Sequence, residues 1–330
     1  MQNEATGLVL EIEGLKTYFA LESGVAKAVD DVSLTIRSGA TLGVVGESGC
    51  GKSMTALSIM RLVPKPGKIV GGKIIFDGTT NLTELSEKEM RQIRGNRISM
   101  IFQEPMTSLN PVMQIGKQIV EAVKYHQEMT KKDAMDRALE MLKLVGIPSP
   151  ERKLKDYPHQ LSGGMRQRVM IGMALSCNPK LMLADEPTTA LDVTIQAQIL
   201  DLMNRLKEDV GTAIMLITHD LGVIAEMAQE VCVMYAGVLV ESASVKEIFT
   251  NPLHPYTEGL LQSVPHMDRD ADLKAPLNTI AGIVPNLLDL IKGCKFSDRC
   301  LRAREICKSE EPPIVKIGQN HFVRCWEQSR

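Results

Sequence analysis

Residues 46–53 have the sequence GESGCGKS, which follows the pattern G-x-x-x-x-G-K-S of a phosphate-binding loop. The octapeptide stands between an apolar run at 41–45 and a helical pattern at 53–62. Glycines allow backbone N–H groups to turn inward around phosphates, and the N-terminus of the following helix favours an anion. Lys52 can then reach the β- and γ-phosphates, and the Ser53 hydroxyl can bind Mg²⁺. The sequence therefore predicts a nucleoside triphosphate site in an α/β fold, bound by Gly46, Gly49, Cys50, Gly51, Lys52 and Ser53.

The composition is that of an ordinary globular protein, with 44% hydrophobic and 24% charged residues. The formal net charge of −2 gives no sign of the basic patch that nucleic-acid binding usually needs, so we expect no nucleic-acid partner. No apolar run approaches the roughly 20 residues needed to cross a bilayer. Residues 1–5 also lack the basic start and apolar core of a signal peptide. We therefore expect a cytoplasmic chain whose attachment to a membrane comes through partners.

Short apolar runs separated by helical patterns predict the order of the elements. The predicted strands are residues 8–12, 32–36, 41–45, 73–76, 98–102, 181–184 and 213–217. Those that are apolar throughout suit a parallel sheet covered by helices on both faces. Beyond residue 250 the chain changes to prolines, short segments and clustered cysteines. The sequence thus predicts an α/β domain at 1–250, with a helical subdomain at about 104–177, and a small C-terminal extension at 251–330.

One helix of that subdomain has clear boundary signals. Thr130 and Asp133 resemble a capping box at its start, and Pro148 and Pro150 are predicted to end it. The face that this helix would bury carries Ala134, Ala138, Leu142 and Val145.

Polar residues follow several of the predicted strands. Asp185 and Glu186 end one apolar strand, Gln103 ends another, and His219 follows a third. A carboxylate at the carboxyl end of a strand, in a sheet that also carries a phosphate loop, is well placed to hold Mg²⁺. The adjacent Glu186 can polarise an attacking water, and His219 can contact the γ-phosphate. The alternatives are a solvated Asp-Glu turn and a structural histidine.

A second motif narrows the class of protein. The sequence LSGGMRQ at 161–167 resembles the signature motif of ATP-binding cassette (ABC) ATPases. The resemblance extends over residues 9–240, with 46–53 matching the Walker A loop, 181–185 the Walker B strand and 190–192 the D-loop. No Asn-Lys-x-Asp guanine motif is present. The implied fold is a P-loop ABC core, a mixed sheet with flanking helices, carrying a helical signature subdomain.

The resemblance implies a role for each catalytic candidate. Glu186 matches the catalytic glutamate, His219 the switch histidine, and Gln103 the Q-loop glutamine that senses Mg²⁺ and the permease. Mg²⁺ would be held by Ser53, Gln103 and Asp185. The adenine would stack on Tyr18 or Phe19, and the spacing leaves that choice open.

The signature implies a dimer, because in ABC proteins it faces the γ-phosphate held by a second subunit. The signature residues that would do so here are Ser162, Gly163 and Gly164; Asp192 of the D-loop is also expected to bind the nucleotide. No departure from the family pattern occurs at Lys52, Ser162, Glu186 or His219. We therefore expect a subunit that can bind and hydrolyse ATP at its own phosphate loop and can also complete the ATP site of a second subunit.

Several segments resemble the dipeptide and oligopeptide branch of ABC importers, including 104–111 (EPMTSLNP), 158–161, 186–198, 254–257 and 280–285. In that branch the loop after Gln103 contacts the permease. The implied partners are two permeases, an extracytoplasmic binding protein and a second, related ATPase, at the cytoplasmic face of the membrane. Nickel or another small solute is an alternative cargo. A soluble ABC ATPase acting on ribosomes or DNA is the third hypothesis, although such chains usually carry two cassettes or long insertions.

Four of the seven cysteines lie in the tail, with the spacing C-x5-C-x6-C-x17-C: Cys294, Cys300, Cys307 and Cys325. Four thiolates can hold a [4Fe–4S] cluster or a tetrahedral zinc ion, although neither common spacing matches. The resemblance favours the cluster, since some members of this branch carry one. Zinc, or four reduced cysteines without metal, are the alternatives. Cys50, Cys177 and Cys232 are interpreted as ordinary small core or loop residues.

Overall fold

The computed structural model describes residues 7–103, 108–189, 191–264, 279–288 and 291–329. Within them the chain forms two compact units. The first takes its described residues from 1–11, 35–41 and 75–217, and the second from 12–34, 42–74 and 218–330. The predicted boundary near residue 250 falls inside the second unit.

The strands in chain order are β1 (Leu8–Leu21), β2 (Gly24–Arg37), β3 (Thr41–Val45), β4 (Gly67–Phe76), β5 (Thr80–Asn81), β6 (Ile98–Ile101), β7 (Leu181–Asp185), β8 (Ala213–Ile217), β9 (Glu230–Tyr235), β10 (Val238–Ser244), β11 (Val315–Ile317) and β12 (His321–Val323). The helices are α1 (Lys52–Ile59), α2 (Glu87–Ile93), α3 (Ile115–His126), α4 (Lys131–Leu144), α5 (Pro150–Lys153), α6 (Gly163–Leu175), α7 (Val193–Val210), α8 (Leu221–Met227), α9 (Val245–Thr250), α10 (Pro255–Gln262) and α11 (Glu305–Ser309). Among the described residues no helix combines the length and the apolar character needed to span a membrane.

The first unit is built on three parallel strands in the order β8-β7-β6. Every residue of β7 and β8 is buried, as expected for strands that are apolar throughout and covered on both faces. The prediction of a parallel sheet is therefore confirmed. Parallel strands bring their carboxyl ends to one edge, so the residues that follow β6 and β7 lie close together.

The helical subdomain of the first unit also forms as predicted, with α3, α4 and α6 packed together. At the start of α4, the Asp133 N–H donates to the Thr130 hydroxyl over 3.2 Å. The predicted apolar face is buried at all four positions: Ala134, Ala138, Leu142 and Val145. The predicted end of the helix was wrong. The helix stops at Leu144 because Gly146 takes a left-handed φ of 72°, and Pro150 begins α5 instead.

The second unit contains most of a long antiparallel hairpin formed by β1 and β2. These strands were predicted only at 8–12 and 32–36, yet each spans 14 residues. In β2, Val32, Leu34 and Ile36 are buried while the residues between them are exposed, which is the period of a half-buried strand. The rest of the hairpin lacks this regular alternation, so the sequence pattern did not reveal it.

The tail joins the sheet of the second unit, whose strand order is β11-β12-β10-β9-β3. The pair β3 and β9 is parallel, whereas β10 pairs antiparallel with β9 and with β12. The buried Glu241 carboxylate fixes this junction. It accepts the N–H groups of Leu253 (2.7 Å) and His254 (2.9 Å), and it lies 2.6 Å from His321 Nε2. The C-terminal extension is thus continuous with the strand that leads into the phosphate loop.

Candidate nucleotide-binding site

The loop after β3 has the backbone shape of a phosphate cradle. Gly46 and Gly51 take φ values of 149° and 103°, and a Cβ there would lie 2.2 Å from the Met234 carbonyl oxygen and 2.3 Å from that of Ala28, respectively. Only glycine fits at either position. Gly49, with φ of 79°, has open space where a Cβ would stand. All three glycines allow the left-handed backbone conformation of the loop, and Gly46 and Gly51 also allow it to pack closely against neighbouring carbonyl groups.

Lys52 is the first residue of α1 and is only 6% exposed. Its ammonium donates to the carbonyl oxygens of Gly46 (2.6 Å) and Glu47 (3.0 Å). The cap residue of α1 is Gly51, which has no side chain to accept a hydrogen bond from the first N–H groups of this helix. A buried cation and a helix N-terminus thus belong to one loop, an arrangement suited to a polyphosphate.

Cys50 contributes to this loop through its backbone. Its thiol is buried, and the Sγ atom lies 2.7 Å from the place of a Gly46 Cβ. Burial raises the pKa of the thiol above its ordinary value, and the nearby Lys52 ammonium only partly opposes that shift. The interpretation of Cys50 as a small packed residue agrees with this position.

In the first unit, the edge formed by β6 and β7 brings together two of the predicted catalytic residues, Gln103 and Glu186. Asp185 is the buried last residue of β7, and the Glu186 carboxylate lies beyond it. Gln103 Nε2 donates to Glu186 Oε2 over 3.1 Å, and the Thr189 hydroxyl donates to the same oxygen over 2.8 Å. Glu186 also has a left-handed φ of 47°, which is uncommon for a residue other than glycine. No role was predicted for Thr189, although its place three residues after Glu186 is a signal that the sequence contains.

The signature motif forms the N-terminus of α6 in the first unit. Ser162 caps this helix, since its hydroxyl accepts the Met165 N–H over 3.3 Å. Gly163 has open space at its Cβ position, whereas a Cβ on Gly164 would lie 2.9 Å from Ile195. The motif therefore presents a helix N-terminus that is capped by Ser162 and has open space at Gly163, an arrangement suited to an anion.

One further contact connects the signature helix with the segment that follows Glu186: the buried Gln167 side chain donates to the Pro187 carbonyl oxygen. In the same segment, Asp192 caps α7 by accepting the Ile195 N–H over 2.9 Å. Gln167 had no predicted role of its own. Ala190 of the predicted D-loop lies outside the described residues, as do Glu104, Pro105, Met106 and Thr107 of the predicted permease loop.

His219 lies in the second unit and is exposed. The preceding Thr218 donates its N–H to the Val44 carbonyl oxygen over 3.3 Å, so this segment lies beside β3 close to the phosphate loop. Asp220 then caps α8 by accepting the N–H groups of Gly222 and Val223. The structure thus brings His219 to the edge of the sheet from which the phosphate loop emerges.

The two aromatic candidates on β1 have different surroundings. The Tyr18 hydroxyl donates to Asp30, and Lys27 lies over its ring, 5.4 Å from the centroid. Burial, together with the Asp30 carboxylate, raises the pKa of Tyr18 above its ordinary value. The Phe19 ring instead packs against Gly67, where a Cβ would lie 2.6 Å from it.

The four cysteines of the tail line one small cavity, together with Phe296 and Trp326 among others. The Cys294 N–H donates to the Cys307 carbonyl oxygen over 2.7 Å, and Gly293 packs so closely on Cys307 that a Cβ would lie 2.2 Å from that oxygen. Burial raises the pKa of Cys294 to about 12, with a further contribution from the neighbouring thiols. The four cysteines, although separated in the sequence, therefore lie around one cavity. No three His, Cys, Asp or Glu side chains in the described part of the chain are placed to hold a metal ion, so a preformed metal site is not supported.

Comparison with known proteins agrees with this organisation. Residues 29–189 match the ABC transporter family, and residues 240–307 match the family described as the oligopeptide/dipeptide transporter C-terminal region. A solved structure of the ATP-binding cassette MJ0796, a dimer in a post-hydrolysis state bound to ADP and Pi, is similar with a TM-score of 0.64 and 27% identity. The match covers 98% of that chain but 72% of this one, so part of this chain has no counterpart there.

Full-length relatives are more similar. The probable peptide ABC transporter ATP-binding protein y4tR of Sinorhizobium fredii is 54% identical, with 99% of this chain and 97% of the relative covered. The oligopeptide transport ATP-binding protein AppD of Bacillus subtilis is 53% identical, over 96% of each chain. OppD of Salmonella typhimurium, also an oligopeptide transport ATP-binding protein, is 47% identical over 98% of this chain and 95% of its own. The chain therefore belongs to the ABC transporter family, as an ATP-binding cassette ATPase that carries the oligopeptide/dipeptide transporter C-terminal region.

Proposed function

We propose that this chain is the ATP-hydrolysing motor subunit of a membrane importer for di- or oligopeptides. One observation carries the proposal: relatives named as peptide transport ATP-binding proteins match nearly the full length, tail included, at 47–54% identity. The tail is the part that a generic cassette lacks, and its match to the peptide-transporter C-terminal family separates this proposal from a ribosome- or DNA-directed ATPase.

At the phosphate loop, Lys52 would exchange the carbonyl oxygens of Gly46 and Glu47 for the β- and γ-phosphates. The desolvated ammonium makes this exchange favourable, because charge-assisted hydrogen bonds to phosphate are stronger than those to neutral carbonyls. Ser53, Asp185 and Gln103 would hold Mg²⁺, which when bound neutralises charge on the phosphates. His219 would contact the γ-phosphate.

Glu186 would accept a proton from the attacking water. Its carboxylate is already oriented by the hydrogen bonds from Gln103 and Thr189, so little reorganisation is needed to position the water. Because Gln103 contacts Glu186, a movement of the loop that follows Gln103 would change the position of the Glu186 carboxylate. We therefore assign Thr189 as a positioning residue.

For the adenine we favour Tyr18 over Phe19. The Ala28 carbonyl oxygen packs against Gly51 of the phosphate loop, and Tyr18 contacts the adjoining residues Lys27 and Asp30. The Phe19 ring instead packs against Gly67. Tyr18 thus lies against the segment of β2 that touches the phosphate loop, close to where the base of a bound nucleotide would lie.

The signature residues Ser162, Gly163 and Gly164, with Asp192, would complete the ATP site of a second subunit, which would be a related but distinct ATPase chain. The loop after Gln103 would contact one of two permeases, and an extracytoplasmic protein would deliver the cargo. These partners would hold the chain at the cytoplasmic face of the membrane as a peripheral subunit.

We further propose that Cys294, Cys300, Cys307 and Cys325 bind a [4Fe–4S] cluster. Their shared cavity supports the proposal, and thiolates are the ligands that such clusters use. Zinc is the alternative and would need four sulfurs about 2.3 Å from one ion; the described side chains are preformed for neither group. When bound, the cluster would cross-link the tail.

Transport by the assembled importer tests the proposed function. The chain would be reconstituted in liposomes with its permeases, binding protein and partner ATPase, and uptake of a labelled tripeptide and of Ni²⁺ measured separately. ATP-dependent peptide uptake, lost with Glu186→Gln, is the expected result. Uptake of Ni²⁺ without peptide would replace the peptide cargo by the nickel alternative.

A further inference from the structure

An ion pair joins the phosphate loop to the C-terminal extension. Arg299 Nη1 lies 2.7 Å from Glu47 Oε2, and Nη2 lies 3.1 Å from Glu47 Oε1, so the two planar groups meet in a bidentate pair. Glu47 directly follows Gly46 in the phosphate loop, whereas Arg299 is 252 residues away in the turn before Cys300. The Arg299 side chain is only 5% exposed, so solvent screens this pair weakly.

Arg299 is itself held in place by the tail. Its Nε donates to the Ala281 carbonyl oxygen over 2.9 Å, and Nη2 donates to that of Ile280 over 3.2 Å. The Tyr235 hydroxyl lies 3.4 Å from Nη1. The hydrogen bond to the Glu47 carboxylate raises the pKa of Arg299 above its ordinary value. The guanidinium is therefore a fixed, permanent cation rather than a mobile surface group.

A second tail residue holds the backbone of Glu47. The Glu47 N–H donates to the Tyr256 hydroxyl over 2.8 Å. Tyr256 is fully buried, and its ring packs against Tyr235 and Phe296 with centroid distances of 4.6 and 5.4 Å. Glu47 is thus fixed by the tail through its side chain and through its main chain.

We propose that Arg299 and Tyr256 are positioning residues of the ATP site, so that the C-terminal extension sets the affinity of the phosphate loop. Two effects support this. Arg299 neutralises a carboxylate that would otherwise repel the phosphates. Both residues also fix Glu47, whose carbonyl oxygen accepts a hydrogen bond from the Lys52 ammonium. The inference rests on the proposed binding of ATP at this loop.

Binding of ATP to the purified chain tests the proposal. Arg299→Gln leaves the Glu47 carboxylate unpaired, and we expect the Kd for Mg·ATP to rise about tenfold or more. The double variant Glu47→Gln with Arg299→Gln removes the unpaired charge as well, and it should recover part of this loss. Tyr256→Phe should raise the Kd while keeping the ring packing. The matched control is Arg302→Gln, since Arg302 pairs with Glu258 in the same tail, and its Kd should be unchanged.

The melting temperature separates this role from a structural one. If Arg299→Gln melts earlier but binds Mg·ATP as tightly as the parent, the pair only docks the tail and the proposal is overturned. If Arg299→Gln does not fold, the single variant Glu47→Gln decides the matter: an unchanged Kd would equally overturn the proposal. A parent chain that binds no ATP would instead refute the proposed function, which keeps the two failures distinct.

Discussion

Gln103 Nε2 lies 3.1 Å from Glu186 Oε2, so two side chains from neighbouring strand ends share a hydrogen bond at one edge of the sheet. The contact orients the Glu186 carboxylate before any water is bound. Because this hydrogen bond uses Nε2, the amide oxygen of Gln103 is the atom that would bind Mg²⁺. The proposed base and the proposed metal ligand are therefore in direct contact.

The first prediction concerns the base itself. Glu186→Gln keeps the shape of the side chain but cannot accept the proton, so steady-state ATP hydrolysis should fall by about 10²-fold or more. ATP should still bind and should trap a dimer. Phosphate release and size-exclusion chromatography with ATP measure the two properties. Glu208→Gln, on the exposed face of α7, is the control; near-normal turnover of the Glu186 variant would refute the assigned role.

The second prediction uses the glycines of the phosphate loop. Gly51→Ala would place a Cβ 2.3 Å from the Ala28 carbonyl oxygen, so the loop must move and ATP binding should be lost. Gly49→Ala meets open space and should cost only the left-handed conformation, about 1 kcal/mol. Thermal unfolding and ATP titration of both variants provide the comparison. Equal loss of binding in the two would contradict the packing explanation.

The third prediction distinguishes the aromatic residues of β1. Tyr18→Ala should weaken ATP binding by the loss of one stacking contact, about 1–3 kcal/mol. Phe19→Ala should lower stability through lost packing on Gly67 and change ATP affinity less. Titration with ATP and with inorganic triphosphate separates the two, because only ATP contains the base. A larger effect of Phe19→Ala on ATP alone would assign the stacking to Phe19.

The fourth prediction concerns acid stability. His254 is fully buried, its Nδ1 accepts the Tyr256 N–H over 3.0 Å, and burial lowers its pKa to about 3. The folded pKa lies below the ordinary value of 6.5, so the unfolded chain binds the extra proton. This group should therefore cost stability as the pH falls from about 6.5 towards 3, by up to about 1.4 kcal/mol per pH unit.

His254→Gln retains an acceptor for the Tyr256 N–H and removes the titration. As the pH falls, the unfolding free energy of the parent should therefore decrease more than that of this variant. Denaturant titrations at pH 7.5, 6 and 5 measure it. A constant difference over that range would contradict the buried, neutral state of His254.

The fifth prediction concerns the cysteine cavity. Protein purified without oxygen should be brown and contain about four irons, and Cys300→Ser should lose the colour. Cys232→Ser, at a buried core position remote in sequence from the quartet, should keep it. Stoichiometric zinc, or a colourless folded protein without metal, would overturn the proposed cluster and leave the ATPase assignment unaffected.

Features set by short sequence spacing were predicted well. The glycines at 46–53 specified the phosphate loop, the apolar runs at 181–184 and 213–217 gave parallel strands, and Thr130 began a helix. In each case the determining residues lie within one turn or one strand of each other. Their physical cause is local, so it is visible in the sequence.

Features set by distant residues were missed. Neither the bidentate pair of Glu47 with Arg299 nor the joining of β12 to β10 has a local signal, because their members are far apart in sequence. The extra length of β1 and β2 comes from pairing along the hairpin, where buried and exposed positions do not alternate regularly with apolar and polar residues. Helix α4 ends at a glycine before the prolines that were expected to end it, since a left-handed residue stops a helix wherever it comes first.

The position of β12 has a consequence for biosynthesis. Val323 pairs with Glu241, so the outer side of β10 stays without its partner strand until residue 323 has left the ribosome. During that interval the nascent chain presents unpaired backbone groups, and Glu241 awaits its contact with His321. A chain terminated near residue 250 would lack β12 and could never form this strand pair. The resulting fragment would keep every ATPase motif and yet be prone to edge-to-edge aggregation.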